Sequence, residues 1–133
     1  MSKMSDYTEQ KFLDHALGTT AWTAPTNVYL ALFSSDPTDA GSGTELTVTL
    51  GYARAVMSFN AATSPGGLAT IDTEIVFTNS GGGDWAAATH VGVFDASTVG
   101  NLLFHGALAA TRTVLDGGTL TFAATTGITI TAA

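Results

Sequence analysis

The chain has 133 residues, enough for one domain with a closed hydrophobic core, and only 11% of them are charged, against roughly a quarter in ordinary soluble domains. Four cations (Lys3, Lys11, Arg54, Arg112) stand against eleven acids, a net charge of -7 that disfavours nucleic-acid and anionic-lipid partners, which need clustered Lys and Arg. There is no cysteine, which excludes disulfides, thiolate zinc sites and a cysteine nucleophile. The opening MSKMSDYTEQ lacks the apolar stretch of a secretory signal, and no run approaches the ~18 apolar residues of a membrane span. The expectation is a protein made in a cytoplasm, without a membrane segment, as a single domain over residues 1–133.

One segment reads as a helix, within an N-terminal stretch of residues 1–18. From Asp6 to Leu17 the apolar residues Phe12, Leu13, Ala16 and Leu17 form one stripe at helical spacing. Asp6 with Glu9 resembles a capping box, and Gly18 suits a left-handed stop. A helix this short is marginal alone in water, so the stripe predicts docking on its own sheet or on a neighbouring subunit.

Residues 19–133 read as β. The strands expected are Asn27 to Phe33, Glu45 to Leu50, Tyr52 to Phe59, Ala69 to Phe77, Thr89 to Phe94, Leu102 to Leu108, Thr119 to Phe122 and Ile128 to Thr131. Turn clusters separate them: SSDPTDAGSG, TSPGG, NSGGGD, DASTVGN and LDGG. Short strands punctuated this often, with no helical crossovers, predict a mainly β fold, an antiparallel sandwich of about eight strands with one short N-terminal helix. NVYLALF is apolar on both alternations, as in a strand covered on both faces, and the helix is the economical cover for the second face. GITIT alternates cleanly and should keep one face solvated or against another subunit.

Asp36, Asp39 and Glu45 in the loop after that strand are candidate ligands for a hard cation such as Ca²⁺. Their spacing does not match the EF-hand pattern, and the same residues read as turn formers: Asp36-Pro37 opening a turn, Asp39 capping it, Gly41 and Gly43 supplying positive φ. No HxH or HxxxH pair joins His15, His90 and His105, and no G-x-S-x-G elbow presents a serine. His105 reads as an exposed or interface histidine. The run from Ser80 to Asp84 is glycine-rich but lacks the Lys-Ser/Thr of a phosphate loop. Trp85, directly after it, suits either a stacking or interface anchor or a plug at the end of the sandwich. Arg54 and Arg112 are expected to pair with carboxylates, Arg54 with its stem over aromatic surface.

Four blocks carry a resemblance: LALFSSDPTDAGSGTE (Leu30 to Glu45), GYAR (Gly51 to Arg54), THVGVFDASTVGNLLFHGAL (Thr89 to Leu108) and DGGTLTFAATTGITI (Asp116 to Ile130). In this order they are similar to a family of small tailed-bacteriophage structural proteins, labelled tail-fibre or minor virion proteins. TLGY ahead of Ala53-Arg54 and the extra glycines near Gly81 differ from that family's pattern, at loops or edges. The resemblance implies a non-enzymatic virion component without cofactor, attached to the tail or decorating the capsid. Its partners would be other virion proteins and copies of itself, trimers being usual for such modules. The interface candidates are Phe12, Leu13, Leu17, Arg54, Trp85 and His105. The other reading is a receptor- or glycan-binding module at a fibre tip, meeting the host surface through Trp85 or a metal held by Asp36 and Asp39.

Overall fold

The computed structural model describes residues 2–132. Nine strands and one helix follow in chain order: β1 (Lys3–Met4), α1 (Asp6–Ala16), β2 (Val28–Phe33), β3 (Ala55–Met57), β4 (Leu68–Thr70), β5 (Ile75–Thr78), β6 (Ala88–Phe94), β7 (Leu102–Arg112), β8 (Thr119–Phe122) and β9 (Thr129–Thr131). Five of them form an antiparallel sheet in the order β1-β7-β6-β2-β3. The ribbons β4-β9 and β5-β8 make the facing layer. The result is the mainly β, sandwich-like architecture expected from the alternating strands.

The core lies between the two layers. Leu30 and Leu32 of β2, Met57 of β3 and Val93 of β6 meet Ile75 and Phe77 of β5 and Phe122 of β8. Tyr52 sits among them, stacked on Phe77 at 6.1 Å and edge-on to Trp85 at 5.5 Å. Each such buried apolar side chain contributes about 1.5–3 kcal/mol, so this aromatic group is a large share of what holds the layers together.

Because β2 is central, its other alternation is buried too. Ala31 and Phe33 pack with Phe94 and Leu102 on the outer face of the sheet. Phe33 and Phe94 stack with ring centroids 6.0 Å apart, over Gly92. A Cβ at Gly92 would stand 2.9 Å from Leu102 and 3.0 Å from Phe33, so only glycine leaves this stack its room. This corrects the expectation that the helix covers the second face of β2. The cover comes from β6 and β7 side chains, while α1 packs on β1 and β7.

The helix is capped by Ser5, one residue before the expected start. Its hydroxyl accepts from the Thr8 N–H at 3.2 Å and donates to the Leu102 carbonyl. The helix turns Thr8 inward and leaves Phe12, Leu13 and Leu17 at 52%, 54% and 76% exposure, so the apolar stripe does not dock on this chain's own sheet. Gly18, at φ 75, makes the left-handed stop.

Several strand boundaries differ from expectation: of Tyr52 to Phe59 only Ala55–Met57 forms β3, β1 ahead of the helix was not expected, and three further segments depart as follows. Glu45 to Leu50 makes a single bridge, Glu45 to Phe33, and then turns. Leu46 N–H is fixed to Leu32 O at 2.9 Å, and positive φ at Leu50 and Gly51 reverses the chain so that Tyr52 enters the core. Ala69 to Phe77 breaks in two around Asp72, whose carboxylate accepts the hydroxyls of Ser58 and Thr73. Those bonds hold its pKa below the ordinary carboxylate value. Finally, β7 runs on to Arg112, because a register shift against β6 lets four more residues follow Leu108.

Candidate functional site

The loop from Ser34 to Glu45 is the most elaborately anchored segment on the outer face. Its first turn is an Asx turn in which Thr38 N–H donates to Asp36 Oδ1 at 2.9 Å. Ser42 N–H then donates to Pro37 O at 2.6 Å, which closes the loop. Gly43 permits this closure by proximity rather than by positive φ, since a Cβ there would lie 2.6 Å from Pro37 Cα. Gly41 does take positive φ, at 71°, as expected of it.

At the loop's end, Arg54 grips Glu45 with two parallel bonds, Nε to Oε1 at 2.9 Å and Nη2 to Oε2 at 2.7 Å. Its Nη1 donates to the carbonyls of Ala96 and Val99 in the β6–β7 turn, and the guanidinium lies 3.6 Å over the Phe94 ring. The Tyr52 hydroxyl donates to Glu45 Oε1 at 2.9 Å and accepts the Leu32 N–H at 3.0 Å. Planar, bidentate geometry on an aromatic face is what Arg supplies and Lys does not. Arg54 thus ties the loop to the β6–β7 turn, and Tyr52 ties the same Glu45 carboxylate to β2. Burial pushes the Tyr52 hydroxyl well above the ordinary tyrosine value, against the Leu32 N–H, and the Glu45 carboxylate pushes it further the same way.

The other end of the loop is held by histidine. His105, whose side chain is only 4% exposed, places Nε2 2.8 Å from Asp39 Oδ1 and Nδ1 3.6 Å from Asp36 Oδ1. His90 lies across the same cleft, Nε2 4.0 Å from Asp36 Oδ2, with Nδ1 bonded to Thr89 Oγ1 at 2.8 Å. The Thr38 N–H holds the Asp36 pKa below its ordinary value; slight desolvation opposes it, and His90, His105 and Lys3 add to the lowering. That contribution to folding is present above about pH 3.8 and is lost as the pH falls into stronger acid.

These contacts relocate several candidates. Asp36, Asp39 and Glu45 do not converge on one point: Glu45 is engaged by Arg54 and Tyr52, and Asp39 by His105 rather than by its own turn. Among the described residues no group of three or more His, Asp or Glu side chains is arranged to hold a metal ion. His105 is buried, which corrects the exposed half of its reading as an exposed or interface histidine. Trp85 is 5% exposed and donates from Nε1 to Leu50 O at 3.1 Å, so the ring plugs the core and presents no face to a ligand. Arg112 is exposed and makes no ion pair among the described residues.

Asn79 was not singled out in the sequence, yet it organises the glycine run. It donates to Gly83 O at 2.8 Å and accepts the Gly81 N–H at 2.9 Å, while Asp116 accepts the Gly82 N–H. An Asn-Ser pair leading into a glycine run is the signal that could have marked it. Every buried side-chain polar atom among the described residues has a partner.

Fold and anchors together define a small, mainly β protein in which charged side chains fix loops onto a rigid sheet. A family model described as "Podophage GP4 fiber I protein gp80" matches residues 3–131, and the chain belongs to that family. It is therefore a member of a phage tail-fibre structural family, at home in the virion among other virion proteins. A search of curated proteins gives no match.

Proposed function

We propose that the chain is a non-enzymatic structural module of the tail fibre, which self-associates or docks on a neighbouring virion protein through the exposed stripe of α1. The observation that carries this reading is the stripe itself. Phe12 and Leu13 of α1 and Leu17 at its C-cap stand at half exposure or more and close together in sequence, whereas the other exposed large apolar side chains, such as Val48, Val99 and Leu115, lie singly in loops and at strand edges. Such a contiguous apolar face is the feature that protein interfaces cover. The family's fibre label favours the tail over a capsid-decorating role. A trimer fits the reading, being the usual symmetry of fibre modules.

The non-catalytic part of the reading is supported by the state of the carboxylates. A general acid or a nucleophile needs a carboxylate free to meet substrate. Here Glu45 is locked by Arg54 and Tyr52, Asp39 by His105, and Asp95 by Asn101. The reading calls for no cofactor, nucleic acid or membrane. It is tested with the double variant Leu13→Asp/Leu17→Asp, measured by light scattering after size exclusion and by incorporation into particles. The expected result is a folded monomer absent from virions. A variant that assembles and incorporates like the parent would overturn the reading.

A further inference from the structure

The apolar stripe of α1 is not uniform along its length, and its charges decide what can cover it. Asp6 and Glu9 stand in the first turn, one turn apart on the row that leads into Phe12, Leu13 and Leu17. Asp14 borders the same row, three residues before Leu17. Asp6 and Glu9 are exposed, Asp14 is half-buried, and none of the three makes an ion pair among the described residues. The one lysine of the helix does not reach them. Lys11 is two residues from both Glu9 and Leu13, which turns it to the other side, where its ammonium sits 5.6 Å from the Tyr7 ring centroid. First-turn acids complement the helix dipole, which accounts for Asp6 and Glu9 as helix formers. Asp14, in the last turn, opposes the dipole and has no such account.

A second copy of the chain does not fit this face. Two α1 helices packed in parallel would set acids against acids, and like charges across an interface repel. Two antiparallel helices would press Asp6 and Glu9 against Ala16 and Leu17 of the other copy, stripping water from carboxylates without giving them a partner. The rest of the chain offers no cationic cluster to receive the stripe either. Lys3 lies beside Asp36, Arg54 is locked on Glu45, and Arg112 ends β7. With four cations against eleven acids, every copy carries the same deficit.

We propose that the α1 face is occupied by a different virion protein, one that presents an apolar patch to Phe12, Leu13 and Leu17 and Lys or Arg side chains to Asp6, Glu9 and Asp14. This rests on the reading of the stripe as a docking surface, and it names the chemistry of the partner. Apolar burial supplies the hold, while the charges set orientation and speed the encounter. Copies of this chain do not pair α1 against α1.

The test uses phage particles assembled without the chain, to which purified protein is added back and the bound amount measured after sedimentation. Binding of the parent is expected to fall about tenfold between about 50 and about 500 mM NaCl, because exposed charge pairs are screened. Asp14→Lys should weaken binding several-fold at the lower salt while keeping or raising the melting temperature, since a cation in the last turn favours the helix. A purely structural role for Asp14 would move neither reading in that direction. Glu9→Gln/Asp14→Asn should weaken binding less than Glu9→Lys/Asp14→Lys. In isolation, the parent and Leu13→Asp/Leu17→Asp should have the same mass by light scattering. Binding indifferent to salt and to these charges would overturn the proposal. So would an isolated oligomer of the parent that Leu13→Asp/Leu17→Asp dissolves, although the stripe would then still be a docking surface. Rebinding of Leu13→Asp/Leu17→Asp to particles at the parent's level would remove both.

Discussion

Replacing Arg54 with alanine removes two charge-assisted bonds to Glu45, two bonds to the carbonyls of Ala96 and Val99, and the stack on Phe94. Breaking a fully buried pair by deleting one partner costs about 3–5 kcal/mol, because a buried charge is left alone. Arg54 is 8% exposed, but Glu45 is 26% exposed and Val99 lies on the surface, so water recovers part of the loss. The expected cost is therefore about 2–3 kcal/mol, or a fall in melting temperature on the order of 8 °C for a chain of this length. Arg54→Lys should lose most of the same amount, since an ammonium cannot make the fork or the stack. Chemical and thermal denaturation followed by circular dichroism measures both variants, and a double-mutant cycle with Glu45→Ala isolates the pair. A cost below about 1 kcal/mol, the scale of an exposed ion pair, would refute the claim that Arg54 is the anchor of the loop.

Tyr52 should be the last tyrosine to ionise in an absorbance titration. Its folded pKa is raised, so its contribution to stability is complete below about pH 10 and is lost as the pH climbs toward the folded value; Tyr52→Phe should abolish that late step. Gly92→Ala should cost about 1–3 kcal/mol by overpacking and change the near-UV spectrum of the Phe33–Phe94 stack, and an unchanged melting curve would show that the stack has slack. His105→Ala should raise hydrogen exchange across residues 36–44 more than Asp39→Ala does, because His105 is buried whereas Asp39 is half exposed to water. Equal effects would place the anchor in the His105–Asp39 hydrogen bond rather than in the packed ring.

How much was legible in the sequence depended on how local the deciding interaction was. NVYLALF announced a strand buried on both faces because its own residues are apolar on both alternations, and β8 emerged with the expected limits. ELTVTL alternates just as clearly but does not form a strand, because what decides its path is the demand that Tyr52 reach the core and Arg54 reach Glu45. The helix was legible from its stripe and its stop, while the direction of the stripe was not, because Ser5 and Thr8 dock it by hydrogen bonds that hydrophobic spacing does not record. The Arg54 pairing was anticipated in kind, but its carbonyl partners lie more than forty residues away. Asp39 and His105 are 66 residues apart, and no spacing rule connects them. Trp85 carried two readings in sequence, and only burial separates them.

The account's central claim is that this fibre-family module is held in the particle through the apolar stripe of α1. An electron cryomicroscopy reconstruction of the intact particle tests it most directly. The account predicts density for the chain in the tail fibre, with Phe12, Leu13 and Leu17 covered by a neighbouring subunit. A chain found there with that stripe facing solvent, or placed on the capsid, would contradict it.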